Sequence, residues 1–322
     1  MVHGCEPNSS GRPARIAPDP CAFLPVLSLY LFLFIFIGCS APTITLDADG
    51  DSFERTSARL RATMQHAVFK ASGEDTSNRY LSTVAVSSPE SPSTCSGILV
   101  HSSLVLTAAH CACTTRDGRK HMDSTSCSKR AGVKVYTYEK AQTGHTLKPE
   151  IREGWFVPHE KFKAIVNAQN AVLESTSDLA VIFLEEPIRN VPLGFELADR
   201  DPRIRDFLTV VGYGLSELGA GGGAERRLFG KNEVTGIALS NISDKDDGDV
   251  VFLFEKAGSQ AAPGDSGGPC FLEADSKRWL IGIVSQTRSD GLGSRFTSIY
   301  PHLPWLKAQI QRAAQQMKTR DL

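Results

Sequence analysis

The sequence predicts an all-β fold that ends in a single helix. From Tyr80 onward, short runs rich in β-branched and aromatic residues alternate with turn residues, which is typical of antiparallel barrels or a sandwich. Helical spacing of apolar residues occurs only at the end, over 303–317. The chain has 322 residues and is 41% hydrophobic, enough for a sizeable core. The strand candidates are 81–86, 97–108, 132–138, 179–184, 207–212, 250–254 and 279–285.

The first element is an apolar N-terminal segment. Residues 22–37 are almost wholly apolar, and Pro25 is expected to start their helical part. About 13 residues then remain, or roughly 20 Å of helix, which is short of the ~30 Å hydrocarbon core of a membrane. The length therefore favours a signal peptide over residues 1–39, and the chain is expected to be exported.

The end of this segment resembles a bacterial lipobox. Residues 36–39 read Phe-Ile-Gly-Cys, so Cys39 is expected to be lipidated and to attach the mature chain to a membrane. Ordinary secretion and a retained anchor are the two alternatives. Residues 40–67 are polar and lack a strand pattern, which predicts a tether or pro-segment before a folded domain over 68–322.

Charge excludes one class of partner. The formal net charge is -1, with acidic and basic residues interspersed, so the sequence does not predict binding to nucleic acid.

A nucleophile candidate lies in the stretch 264–269, Gly-Asp-Ser-Gly-Gly-Pro. The hydroxyl of Ser266 requires a base, an orienting carboxylate and an anion site before it can attack at neutral pH. His110, at the end of an apolar run, is the candidate base. Asp178, at the head of another, is the candidate carboxylate. Each of these alone is weak evidence, but their order and local sequences together predict a catalytic triad.

Five segments carry a family resemblance. They are TAAHC (107–111), DLAV (178–181), VGYG (211–214), GDSGGP (264–269) and GIVS (282–285). With them, the chain resembles serine peptidases of the chymotrypsin and trypsin family from Val68 to Leu322. The resemblance implies two six-stranded antiparallel β-barrels packed together, a cleft site between them and a C-terminal helix. It also implies protein or peptide substrates and no cofactor or metal.

The resemblance assigns roles to individual residues. Ser266 would attack the peptide carbonyl, His110 would shuttle the proton, and Asp178 would orient the imidazole. The backbone N–H groups of Gly264 and Ser266 would form the oxyanion hole. Ser285 would support Asp178 and pair with the substrate backbone. A catalytically silent homologue that binds a partner at the cell surface is the alternative function.

The specificity positions depart from those of a trypsin. Gln260 stands where trypsins place an acid, six residues before the nucleophile, and Ala262 replaces a usual cysteine. Ser294 is expected at a pocket position that glycine usually holds, which would narrow the pocket. Specificity for Lys or Arg is therefore not predicted.

Five cysteines lie in the predicted domain. The resemblance implies a Cys95–Cys111 disulfide. Cys113 and Cys127 are expected to form a second one, or alternatively a zinc site together with Cys111 and His121. The fifth, at position 270, has no evident mate and is expected to be a buried thiol.

The resemblance also implies activation by cleavage. In that family a new N-terminal amine pairs with the acid that precedes the nucleophile, which here is Asp265. Counting back from Cys95 places the new terminus at Val68, so the precursor is expected to be a zymogen.

Overall fold

The architecture is taken from a computed structural model, which describes residues 73–89, 91–115, 120–168, 171–215, 225–240, 242, 248–287 and 293–320. The expected signal peptide, Cys39, the tether and Val68 lie outside these residues. Among the described residues, no helix has both the length and the apolar character needed to cross a membrane.

The all-β prediction is confirmed. The first strands are β1 (Gly73–Glu74), β2 (Thr83–Ser88), β3 (Ser91–His101), β4 (Leu104–Thr107), β5 (His121–Asp123), β6 (Arg130–Lys140), β7 (His145–Pro158), β8 (Lys163–Val166), β9 (Val172–Thr176) and β10 (Ala180–Leu184). The later strands are β11 (Glu196–Leu197), β12 (Phe207–Gly212), β13 (Leu228–Glu233), β14 (Gly236–Ser240), β15 (Asp249–Phe254), β16 (Pro269–Ala274), β17 (Lys277–Thr287) and β18 (Ser294–Ser298). A C-terminal helix, α1, covers Leu303–Arg320.

Six strands form a closed barrel in the order β10-β4-β3-β2-β6-β7. The barrel strands contribute fully buried apolar side chains to the core, among them Ile98, Leu106 and Val133. A second unit, built from β1 and β11 to β18, is a nine-stranded sheet. The sheet has three strands more than the six expected there, namely the short strands β1, β11 and β14. The remaining strands, β5, β8 and β9, form a small sheet of their own.

Some predicted boundaries differ from the structure for local reasons. The apolar run 97–108 is a β3–β4 hairpin, because the chain turns at Ser102 and Ser103 and pairs Ile98 with Leu106. Strand β7 was not predicted, since only two of its 14 residues are buried and charged residues interrupt its apolar ones. The strand forms because 11 of its residues pair with β6, and not because apolar residues alternate along it.

A buried ion pair anchors the start of the described chain. Arg227 is fully buried, and its Nε donates to Asp75 Oδ2 at 2.9 Å. The same guanidinium donates to the hydroxyl of Tyr213 at 3.2 Å and to the side-chain oxygen of Asn78 at 3.1 Å. Residues 75–78 are therefore fixed beside the end of β12, even though no sequence motif marks this contact.

The second disulfide closes the loop between Cys113 and Cys127, which are 14 residues apart. We expect replacement of both by serine to lower the free energy of unfolding by about 3 kcal/mol, because the unfolded chain gains the entropy of an open loop. Urea denaturation under oxidising conditions measures this. Equal free energies of unfolding for parent and variant would contradict the prediction.

Candidate active site

His110 lies on a single 3-10 turn that follows β4. The turn covers Ala109–Ala112, and the disulfide from Cys111 to Cys95 fastens it to β3. This bond fixes the backbone on which the imidazole stands, while the His110 side chain stays 14% exposed. The base candidate is thus held rigidly at the edge of the first barrel.

Asp178 is completely buried, just before β10, and receives three hydrogen bonds. His110 Nδ1 lies 2.8 Å from its Oδ2, and the backbone N–H of His110 donates to its Oδ1 at 3.0 Å. Ser285 Oγ donates to Oδ2 at 2.5 Å. Because the carboxylate accepts, Nδ1 carries the proton, and Nε2 of the neutral imidazole is left as the basic atom.

The two groups shift each other's titration. Burial lowers the pKa of His110, but the attraction and hydrogen bond of Asp178 outweigh it, so the pKa lies above 6.5. Burial raises the pKa of Asp178, but His110 and Ser285 outweigh it, so that pKa lies below 3.8. Asp178 is therefore ionised whenever His110 is able to act as a base.

Ser266 is half-buried on the loop between β15 and β16. Its carbonyl oxygen accepts from Ser96 N–H at 2.7 Å and lies 3.6 Å from Cys111 Sγ, on the turn that carries His110. Gly267 has φ +80°, and a Cβ there would overlap the backbone of Ser96 and Ala108. Glycine is thus required at 267 for the loop to pack this closely against the His110 turn.

Two backbone donors are available beside the Ser266 side chain. Within the described part of the chain, the N–H groups of Gly264 and Ser266 meet no protein acceptor. Gly264 has φ +102°, and Ser96 Oγ holds its carbonyl oxygen at 2.8 Å. Ser96 Oγ also accepts from Tyr213 N–H at 2.9 Å, so one hydroxyl fixes the loop against β12. Sequence reasoning missed Ser96, because its two contacts span more than 100 residues of chain.

A family model described as Trypsin matches residues 68–306. The match spans about three quarters of the chain. This protein belongs to the trypsin family.

Gln260, the residue expected at the specificity position, has a neutral amide that is hydrogen-bonded within the protein. Gln260 Nε2 donates to Lys256 O at 2.9 Å, and its Oε1 accepts from Ser294 Oγ at 2.7 Å. Ser294 Oγ in turn accepts from Ala261 N–H at 2.7 Å. The structure therefore brings Gln260 and Ser294 together, and both amide atoms already have partners within the protein.

Asp265, which precedes Ser266, has its side chain in the protein interior. Its carboxylate is fully buried and accepts from the N–H groups of Ala262 and Gly214, each at 2.8 Å. Burial raises its pKa to about 7, although both N–H donors lower it. Among the described residues, no cation contacts it. A Cβ on Gly212 or Gly214 would overlap this carboxylate, so those glycines make its room.

The zinc alternative is wrong. Cys111, Cys113 and Cys127 are all bonded in disulfides, so they have no thiolate to offer a metal. The close group of Cys95, His110 and Cys111 fails for the same reason. The fifth cysteine, Cys270, is a buried free thiol.

Proposed function

We propose that this trypsin-family protein is a serine endopeptidase that hydrolyses peptide bonds through an acyl-enzyme. One observation carries the proposal above all. A buried, ionised Asp178 holds the His110 imidazole in the tautomer that a general base needs, beside the loop of Ser266. The family supplies the substrate class, and the two disulfides fit an extracellular protein.

In the proposed reaction, Ser266 Oγ attacks the carbonyl carbon and transfers its proton to His110 Nε2. The C–N bond breaks as His110 returns that proton to the leaving amine, which leaves an ester on Ser266. Water then attacks the ester with His110 as base, and Ser266 regains its proton as the acid product leaves. Asp178 remains ionised throughout and stabilises the imidazolium.

The developing oxyanion requires donors that are already oriented. We assign this role to the N–H groups of Gly264 and Ser266, which have no competing protein acceptor among the described residues. Each donor of this kind is worth about 3 to 4 kcal/mol of the barrier. The hydrogen bond from Ser96 to the Gly264 carbonyl and the positive φ of Gly264 keep the backbone that carries the Gly264 N–H oriented. No reorganisation energy is then needed at each turnover.

The proposed specificity is for neutral, small or medium residues before the scissile bond. Gln260 is uncharged and its amide is already hydrogen-bonded within the protein, so it does not offset the desolvation of a lysine or arginine head group. Ser285 is proposed to pair with the substrate backbone, as in the family.

The test of this function is a cleavage profile on a diverse peptide library. The purified chain and its Ser266→Ala variant would be compared by mass spectrometry of the products. We expect cleavage by the parent alone, after neutral residues. A profile dominated by Lys or Arg would overturn the specificity, and a parent without cleavage would favour the silent homologue.

Activation is proposed to follow cleavage before Val68. The ion pair with Arg227 fixes Asp75, which lies seven residues after Val68. Seven residues of extended chain span at most about 23 Å. Arg227 also contacts Tyr213, the neighbour of Gly214, whose N–H binds Asp265. A new amine from Val68 would then supply the cation that buried Asp265 lacks among the described residues. Lipidation at Cys39 is proposed to tether the precursor, so that cleavage would release the peptidase.

We expect Asp265→Asn to lower kcat/KM of the cleaved enzyme by about 10²- to 10³-fold. Removing one partner of a buried ion pair leaves the other charge uncompensated, which costs about 3 to 5 kcal/mol. Asn keeps one acceptor oxygen, for one of the two backbone N–H groups, and its neutral amide cannot bind the amine as an ion pair. Asp275→Asn, at an exposed site, is the matched control. N-terminal sequencing of the active enzyme identifies the new terminus, and full activity in a chain that begins at Cys39 would contradict the hypothesis.

A further inference from the structure

The segment that carries Asp178 is held by the second sheet. Glu174 makes a bidentate ion pair with Arg295 of β18, with N–O distances of 2.9 and 2.5 Å. The backbone N–H of Ser177, which has φ +49°, donates to Asp249 of β15. Two contacts from distant strands therefore hold the chain on both sides of the two residues between them, Ser175 and Thr176.

Ser175 is buried, and its hydroxyl points at the group that supports the triad. Its Oγ lies 3.1 Å from Ser285 Oγ, which lies 2.5 Å from Asp178 Oδ2. A serine hydroxyl has one proton to donate, and an ionised carboxylate only accepts. The proton of Ser285 is used on Asp178, so the bond between the two serines must be donated by Ser175.

The surroundings agree with this polarity. Once Ser175 Oγ donates to Ser285, its lone pairs remain free to accept. Gln286 Nε2, a donor, lies 3.5 Å from the same oxygen, at the outer limit of a hydrogen bond. The hydrogen bonds thus all run in one direction, from Ser175 through Ser285 toward the carboxylate.

We propose that Ser175 is a positioning residue for the reaction, acting on Asp178 only through Ser285. This inference rests on the proposed peptidase function. By donating to Ser285, Ser175 keeps the Ser285 O–H oriented toward Asp178. It also strengthens the hydrogen bond from Ser285 to Asp178, because consecutive hydrogen bonds polarise one another. The strengthened bond withdraws charge from Asp178, which then stabilises the His110 imidazolium less.

The proposal gives a signed prediction for His110. Without the Ser175 hydroxyl, Asp178 holds more charge, so the His110 pKa rises. We expect Ser175→Ala to raise it by about 0.3 to 0.5 pH units. The other titratable groups near this segment are retained in the variant. They are Glu174 with Arg295, and Asp249 with His302 and the neighbouring His159.

The experiment follows the His110 Nδ1–H resonance by NMR as pH is varied, in the full chain and its variants. Ser285→Ala should raise the His110 pKa by more than Ser175→Ala. The double variant should match Ser285→Ala, because Ser175 has no other route to the carboxylate. Ser82→Ala is the matched control, since Ser82 is also buried and its Oγ has no hydrogen-bond partner among the described residues. If Ser175→Ala does not fold, Ser175→Cys serves, because a thiol is a weak donor.

Three results would overturn the inference. They are an unchanged His110 pKa in the Ser175 variant, a double variant that shifts beyond Ser285→Ala, and an equal shift in Ser82→Ala. The NMR readout does not require turnover. Failure of the proposed peptidase function would instead be seen as a parent chain that cleaves no peptide, so the two failures are distinguishable.

Discussion

Replacing Ser266 by alanine is expected to lower kcat by about 10⁶-fold while leaving the fold intact. The variant loses the nucleophile, so no acyl-enzyme forms, and His110 and Asp178 have no hydroxyl to activate. Only the oxyanion donors and substrate binding then remain, which accounts for a residual rate above that of water. Single-turnover and steady-state assays on a peptide found in the library profile measure the loss.

The matched control is Ser259→Ala. Ser259 is buried seven residues before Ser266, and its Oγ has no hydrogen-bond partner in the part of the chain that the structure describes. It should retain activity and show the same far-ultraviolet circular dichroism as Ser266→Ala. Turnover by Ser266→Ala at the parental rate would show that another residue is the nucleophile.

Replacing Asp178 by asparagine is expected to lower kcat/KM by about 10⁴-fold at neutral pH. The asparagine amide can donate a proton to His110 Nδ1, which then places the imidazole proton on Nε2, where the base must be free. The loss comes from this tautomer and from the missing charge beside the imidazolium. Steady-state kinetics across pH measure it.

The pH dependence of the same variant tests the sign of the electrostatics. In the parent, activity should fall as pH drops through the raised His110 pKa, above 6.5, since imidazolium cannot accept a proton. Without the carboxylate, burial acts alone and lowers that pKa, so the acid limb should move to lower pH. An acid limb that stayed in place would mean that Asp178 does not act on His110.

The triad candidates were predictable because each lies in a short stretch with its own local pattern. His110 follows an apolar strand, Asp178 precedes one, and Ser266 lies in the glycine-rich stretch 264–269. The strand candidates were predicted for a similar reason, since buried strands are apolar runs. Strand β7 was missed because charged and polar residues interrupt its apolar ones and most of it is at least partly exposed, and its existence depends on pairing with β6.

The supporting residues were not predictable in this way. Ser96 reaches Gly264 across 168 residues, Ser175 reaches Ser285 across 110, and Ser177 reaches Asp249 across 72. A serine or aspartate in a strand has no local signature of such a contact, because only the packing of the two β units brings the partners together. The resemblance to a family supplied Ser285, but the residue behind it required the structure.

The most direct measurement of the central claim is covalent labelling of Ser266. The cleaved enzyme would be treated with a fluorophosphonate, which reacts only with an activated hydroxyl, and the adduct would be located by peptide mass spectrometry. The account predicts one phosphonyl group per chain, on Ser266, and none in the Ser266→Ala or His110→Ala variants. A peptide-cleaving parent chain that remains unlabelled at Ser266, or carries the label on another residue, would contradict it.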